Sequence, residues 1–354
     1  KTLTTLRNSG NITILGGSSG ASAANATAND QRITNVGGNV GWVDVRLTMS
    51  DMENSGDISI SNYEAKYTFS VAGNVARYNT EVGGTGTNLK NSGAITLDET
   101  TKSGGGLYVG GCVGIHQGNS GALTTCENDA PITVKTAAPS GNVYIGGVVG
   151  YVDGGTDRTL TNTKNGKMLI ALTSTGSGKT YAIGGVAGRM VDHSTPLDNQ
   201  GDITISGTVK GSAFIAGIIG YPNNYNRVNI TNSCDITIDG TFEATCNVGG
   251  INAGGAYSGV YGNTHSSGNI LVTKNAQFKG ATVIGGIFGK NSASGLVFNS
   301  CSSSTNIVFE GTSGASGKED ATLYIGGILG EAITIRSVQH GLTCSGNITY
   351  SGTH

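Results

Sequence analysis

The feature that most constrains this chain is that it repeats itself. Asn-x-Gly-x-Ile-Thr-Ile stands as NSGNITI from Asn8 to Ile14, NSGDISI from Asn54 to Ile60, NSGAITL from Asn91 to Leu97 and NQGDITI from Asn199 to Ile205, and degenerate copies continue the series. With the first apolar residue of each copy as a marker, the series is Ile12, Ile58, Ile95, Ile132, Met168, Ile203, Ile236, Ile270, Ile307 and Ile348. The spacings are 46, 37, 37, 36, 35, 33, 34, 37 and 41 residues. A second motif falls between the copies: VGGNVG from Val36, VGGCVG from Val109, IGGVVG from Ile145, IGGVAG from Ile183, IGGIFG from Ile284 and IGGILG from Ile325. Weaker copies start at Val71, Ile215 and Val248, and a short apolar stretch such as TLTNTKN from Thr159 or RVNITNS from Arg227 leads back to the next Asn-x-Gly. A unit this small cannot bury its apolar face alone, whereas stacked copies make a continuous core.

Alternation in Asp235-Ile236-Thr237-Ile238 puts two Ile on one face and Asp and Thr on the other, which is a half-buried strand. In the second motif Ile325 and Ile328 are three apart and cannot share a face of a straight strand, so a bend at Gly326-Gly327 is expected to turn both inward. Asn of Asn-x-Gly is expected at a second corner, in the left-handed region. Each unit thus offers three candidate strands. The fold class expected is all-β: a three-sided β-solenoid, parallel β-helix-like, of about ten repeats of ~37 residues, forming one domain over 1–354. At about 4.8 Å per rung such a rod is roughly 45 to 50 Å long. Loops are expected to project at Gly17 to Asp30, Asn62 to Lys66, Asn252 to His265 and Gly311 to Ala321.

The (Ile/Val)-Gly-Gly-(Ile/Val)-x-Gly motif followed by a polar turn and Asn-x-Gly-x-Ile resembles the GLUG-type repeats of bacterial surface proteins, which occur in immunoglobulin A1 protease-like proteins and in exported proteins of Bacteroides-type bacteria. The resemblance covers nearly the whole chain and implies a secreted or cell-surface stalk or adhesin. It brings no catalytic residues, since none of His116, His193, His265, His340 or His354 stands in a His-Glu-x-x-His pattern.

Composition agrees with a shaft better than with an ordinary enzyme: 60 of 354 residues are Gly and only 12% are charged. The net charge of −2 comes from 21 basic and 23 acidic residues without blocks, so no footprint for nucleic acid or an anionic membrane is visible. Neither a signal peptide nor a run of 18 apolar residues stands in this sequence. No membrane span is expected in this chain.

Candidate chemistry is sparse. Six cysteines, Cys112, Cys126, Cys234, Cys246, Cys301 and Cys344, show no Cys-x-x-Cys spacing, so no zinc or redox site is expected. Two readings stay open for them. Cys112/Cys126, Cys234/Cys246 and Cys301/Cys344 are spaced for disulfides, which fit an extracellular setting, or the six are small buried thiols filling corners. GSGKT at Gly176 to Thr180 lacks the first Gly of a phosphate loop and precedes a strand, so it reads as a loop. Asp57, Asp202 and Asp235 share one repeat position; stacked carboxylates there would repel or bind Ca²⁺, and a solvated outward column is the simpler reading. Tyr108, Tyr144, Tyr181 and Tyr324 stand just before the Gly pair and form either a column for stacking on sugar rings or a packed screen over the corner.

The expectation is a non-catalytic extracellular or outer-cell-surface structural or adhesive repeat protein: a stalk, fibre or surface-layer component with no cofactor and no metal. The alternatives are a carbohydrate-binding module and a β-helix polysaccharide lyase or hydrolase. The expected partners are other copies of the chain or flanking surface-complex subunits, engaged through uncapped solenoid ends, with host or bacterial glycans as a further class. The absence of polar caps suggests part of a longer chain or assembly.

Overall fold

The computed structural model describes residues 1–19, 34–44, 46–79, 84–98, 101–103, 105–118, 122–137, 141–154, 159–174, 176–191, 196–223, 227–255, 259–314 and 322–353. Every strand pairing among them is parallel, and the strands fall into sheets of 18, 14 and 9 members. The protein is an all-β solenoid of stacked parallel strands.

The repeat markers are a physical column. Ile12, Ile58, Ile95, Ile132, Met168, Ile203, Ile236, Ile270, Ile307 and Ile348 each pair with the next in unbroken parallel register in the 14-stranded sheet. From Ile58 to Ile307 these side chains are all buried, and the outward residue between the two apolar ones is Thr or Ser in most coils, as in Ser59, Thr96 and Thr133, and Leu169, Leu271 or Val308 in the others.

The second motif departs from expectation. It is two strands rather than one: Leu107–Gly110 lies in the 9-stranded sheet and Val113–Gln117 in the 18-stranded sheet, with the Gly pair as the break. Both apolar residues that flank the pair do face inward, but into different cores. Val109, Ile145 and Ile183 join one apolar cluster with the marker Ile column, whereas Cys112, Val148 and Val186 join a second with Leu89, Cys126 and Leu160. The chain therefore passes from one core column to the other twice per coil, once at the Gly pair and once at the Asn of Asn-x-Gly.

These two crossings touch along a seam. Asn8, Asn54, Asn91, Asn128, Asn162, Asn199 and Asn232 form a ladder in which each Nδ2 donates to the Oδ1 of the next, at 2.7 to 2.9 Å over the first five steps and 3.3 Å at the last. From Asn54 on, the ladder is buried, and from Asn54 to Asn199 Nδ2 also donates to a backbone carbonyl in its own turn, such as Gly93 O for Asn91. None of these Asn has positive φ; the left-handed residues stand three positions earlier, at Thr5, Asp51, Asn88, Thr125 and Asn229. So Asn is at the corner for its side-chain amide and not for its backbone freedom. Glycine faces it for lack of room: a Cβ on Gly147 would lie 2.0 Å from Gly185 O and 2.6 Å from Asn162 Cγ. Where the ladder position becomes Ser266, Ser303 or Cys344, those side chains meet Gly250, Gly286 and Gly327 in the same way.

Two of the expected loops are largely strand. Asn62 to Lys66 continues Ile58–Ala65, and Asn252 to His265 is mostly Asn252–Gly255 and Val260–Ser266. In both, polar residues on the outer face look like a loop in sequence. Gly17 to Asp30 and Gly311 to Ala321 begin as strand, and the remainder, with His193 and His354, lies outside the described residues.

Candidate functional site

Bending inward at the Gly pair leaves a re-entrant groove on the outside, and the residues that flank the second motif line it. On one wall stand the residues just before the motif, Asn35, Ser70, Tyr108, Tyr144, Ala182, Phe214, Asn247, Val283 and Tyr324, in parallel register. The other wall carries the residues just after it, including Trp42, Arg77, Ile115, Tyr151, Arg189 and Tyr221, with Gly254, Lys290 and Glu331 following.

The walls meet across the groove. Tyr144 stacks on Tyr151 with centroids 5.6 Å apart, and Tyr108 packs edge-on to Tyr144 at 5.4 Å. The Arg189 guanidinium lies 5.4 to 5.7 Å from the ring centres of Tyr144, Tyr151 and Tyr221, and its Nη1 donates to Tyr144 Oη at 3.2 Å. Burial, with Tyr144 adding to it, pushes the Tyr108 hydroxyl up to about 12. Farther along, Phe214 and Tyr221 form a T-shaped pair at 4.8 Å, and Lys290 pairs with Glu331 at 2.9 Å.

Of the four tyrosines singled out in the sequence, the structure brings together two. Tyr108 and Tyr144 are neighbours in this groove, with Tyr144 almost fully covered. Tyr181 pairs with Val143 rather than Tyr144, one place out of phase, so its ring is buried in the first core with its hydroxyl donating to Gly176 O. Tyr324 stands on the same wall but five coils from Tyr144, and is 45% exposed. Sequence reasoning missed Tyr151, Arg189, Tyr221, Phe214 and Asn247. The signal was available: the position after each second motif is repeatedly bulky or charged.

The six cysteines are unbridged; all but Cys344 are buried. Cys112 Sγ lies within donating distance of Glu127 O and Leu89 O, to either of which its single S–H can point, and burial pushes the thiols of Cys112, Cys234, Cys246 and Cys301 up. Cys301 pairs with Leu342, whereas Cys344 pairs with Ser303 at the seam, so the two do not share a phase as their spacing suggested. We expect a disulfide-exchange reagent such as dithionitrobenzoate to titrate one thiol per native chain and six after denaturation. Two or more fast thiols in the native state would contradict this burial.

The Asp column has a structural use. Asp57 Oδ1 accepts from the backbone N–H of Ala94, Asp202 Oδ1 from that of Asp235, and Asp235 Oδ1 from that of Asn269; Asn11 and Asn306 do the same for Asp57 and Asn347. Each outward Asx thus ties its coil to the next. Among the described residues no group of three or more His, Cys, Asp or Glu is placed to hold a metal ion. GSGKT forms a turn leading into the strand Thr180–Gly184.

Comparison of the chain with protein-family models, with curated proteins and with solved structures found no match in any of the three. Among the described residues no helix is long and apolar enough to cross a membrane.

Proposed function

We propose that this chain is the shaft of a non-catalytic extracellular or outer-cell-surface protein whose work is reach and attachment: a stalk, fibre or surface-layer component. The observation that carries this reading is the unbroken parallel ladder of marker residues from Ile12 to Ile348, reinforced along its length by the Asn seam and the outer Asx column. Ladders of this kind rigidify a rod along its axis and leave its outer surface free to vary. In this reading the shaft has three faces, one per sheet, and about ten coils of ~37 residues, and the resemblance of its motifs to GLUG-type repeats supports a role at a bacterial surface.

Its partners are other copies of the chain or flanking subunits of a surface complex, and they pair with the terminal coils. On the coil that ends at Tyr350, Val338, Ile348 and Tyr350 are all close to half exposed, an apolar strand edge of the kind that adds another chain. We expect sedimentation velocity to show concentration-dependent association of the chain, and the double variant Val338→Lys, Ile348→Lys to weaken it at least tenfold. Association unchanged in that variant, or a strictly monomeric wild type, would overturn end-to-end pairing.

A further inference from the structure

Along the second groove wall, bulky or charged side chains follow one another until Gly254, where none projects. The gap is a cavity of about 240 Å³ between Tyr221 and Lys290. It is smaller than the ~300 to 1,000 Å³ of pockets that hold drug-sized ligands, so it suits a single ring.

The lining has two characters. Phe214 and Tyr221, both half-buried, supply aromatic surface on one side. Polar groups supply the rest: the Asn247 amide, the Thr245 and Ser212 hydroxyls, and Ser292 at the exposed rim, held by its hydrogen bond to Gly255 O. Asn247 is the unusual member. It is 3% exposed, and the amide atom that lies against Gly254 is Nδ2, with Oδ1 turned beneath the surface. Nδ2 is thus a donor from which a ligand oxygen in the space at Gly254 can accept. The one charged side chain on the lining, Lys290, is neutralised by Glu331. That leaves no unbalanced charge to favour an acidic ligand.

We propose that this cavity binds one neutral, hexose-type sugar ring, its C–H face against Tyr221 and Phe214 and a ring hydroxyl oxygen accepting from Asn247 Nδ2. Aromatic surface for the face of a pyranose, with amide and hydroxyl groups for its edge, is the chemistry such a ring requires. The site depends on the fold alone and is separate from the rod reading: it could be occupied whether or not the ends associate.

The test is saturation-transfer NMR on the full chain with the methyl glycosides of glucose, galactose, mannose and N-acetylglucosamine, and with methyl glucuronoside as the acidic control. At least one neutral glycoside is expected to receive saturation. Gly254→Leu should reduce its affinity at least tenfold, because even a Cβ there would stand 2.9 Å from Phe214 Cδ1 and 3.0 Å from Asn247 Nδ2. Tyr221→Ala removes the stacking surface and should do the same, and Ser292→Trp, a change at the exposed rim, should close the mouth without touching the core. Circular dichroism and the thiol titration report whether each variant is folded. The proposal is overturned if no neutral glycoside binds at millimolar concentration, if glucuronoside alone binds, or if binding survives unchanged in the folded variants.

Discussion

Replacing Gly147 by Ala should cost about 4 kcal/mol, the range reserved for changes with a definite steric cause. The cause is backbone against backbone. A Cβ at Gly147 would sit 2.0 Å from the carbonyl oxygen of Gly185 in the next coil, and that carbonyl accepts no rotation without breaking the ladder it belongs to. On the other side it would press Asn162 out of the buried amide ladder. Gly178→Ala is the informative contrast. Gly178 has φ of +72° and nothing within 4 Å of a new Cβ, so only the strain of a left-handed alanine remains, about 1 to 2 kcal/mol. Chemical denaturation of the two variants side by side would separate close approach from conformational freedom. Equal losses would mean that the seam is looser than described.

Asn128→Ala should be nearly as damaging, at about 3 kcal/mol. Asn128 is fully buried; its Nδ2 donates to Ala130 O and Asn162 Oδ1 at 2.9 Å each, and its Oδ1 accepts from Asn91 Nδ2 at 2.8 Å. Alanine strands an amide oxygen above and a carbonyl within its own turn, while Asn91 keeps its bond to Gly93 O, so two orphaned acceptors carry most of the loss. Asn128→Ser should lose about half as much, since Ser266 and Ser303 occupy this place in later coils and Ser266 Oγ bonds to Thr305 Oγ1. Hydrogen exchange should show the opening confined to the coils that contact residue 128, as expected where each coil touches only its neighbours. A loss below about 1 kcal/mol would show that water replaces the amide, and the ladder would then be a consequence of stacking and not a support for it.

Much of this was legible in the sequence because a repeat exposes its own register. The marker series from Ile12 to Ile348 is the pairing observed, and the outward Thr positions fall between the buried residues of the same strands. What the repeat concealed was depth. A single period says that Asn54, Asn91 and Asn128 occupy equivalent corners, but not that they face inward onto one another, because a buried Asn and a turn Asn have the same spacing. Nor could spacing distinguish one bent strand from two strands in different sheets. That difference arises from the contact between the Gly pair and the Asn ladder, which are about half a coil apart in sequence. Tyr181 shows the limit most clearly: one residue of phase separates it from Tyr144, and one residue in a strand reverses the face. The groove was missed for a related reason, since its two walls come from positions flanking the motif and only the bend at the glycines turns them toward each other.

The proposed role as a surface shaft is tested most directly by electron microscopy of the native material. The account predicts that this chain lies in an ordered assembly, stacked end to end with other copies or attached through its terminal coils to a larger surface complex. Isolated monomers, with both ends free and no association with the cell surface, would contradict it.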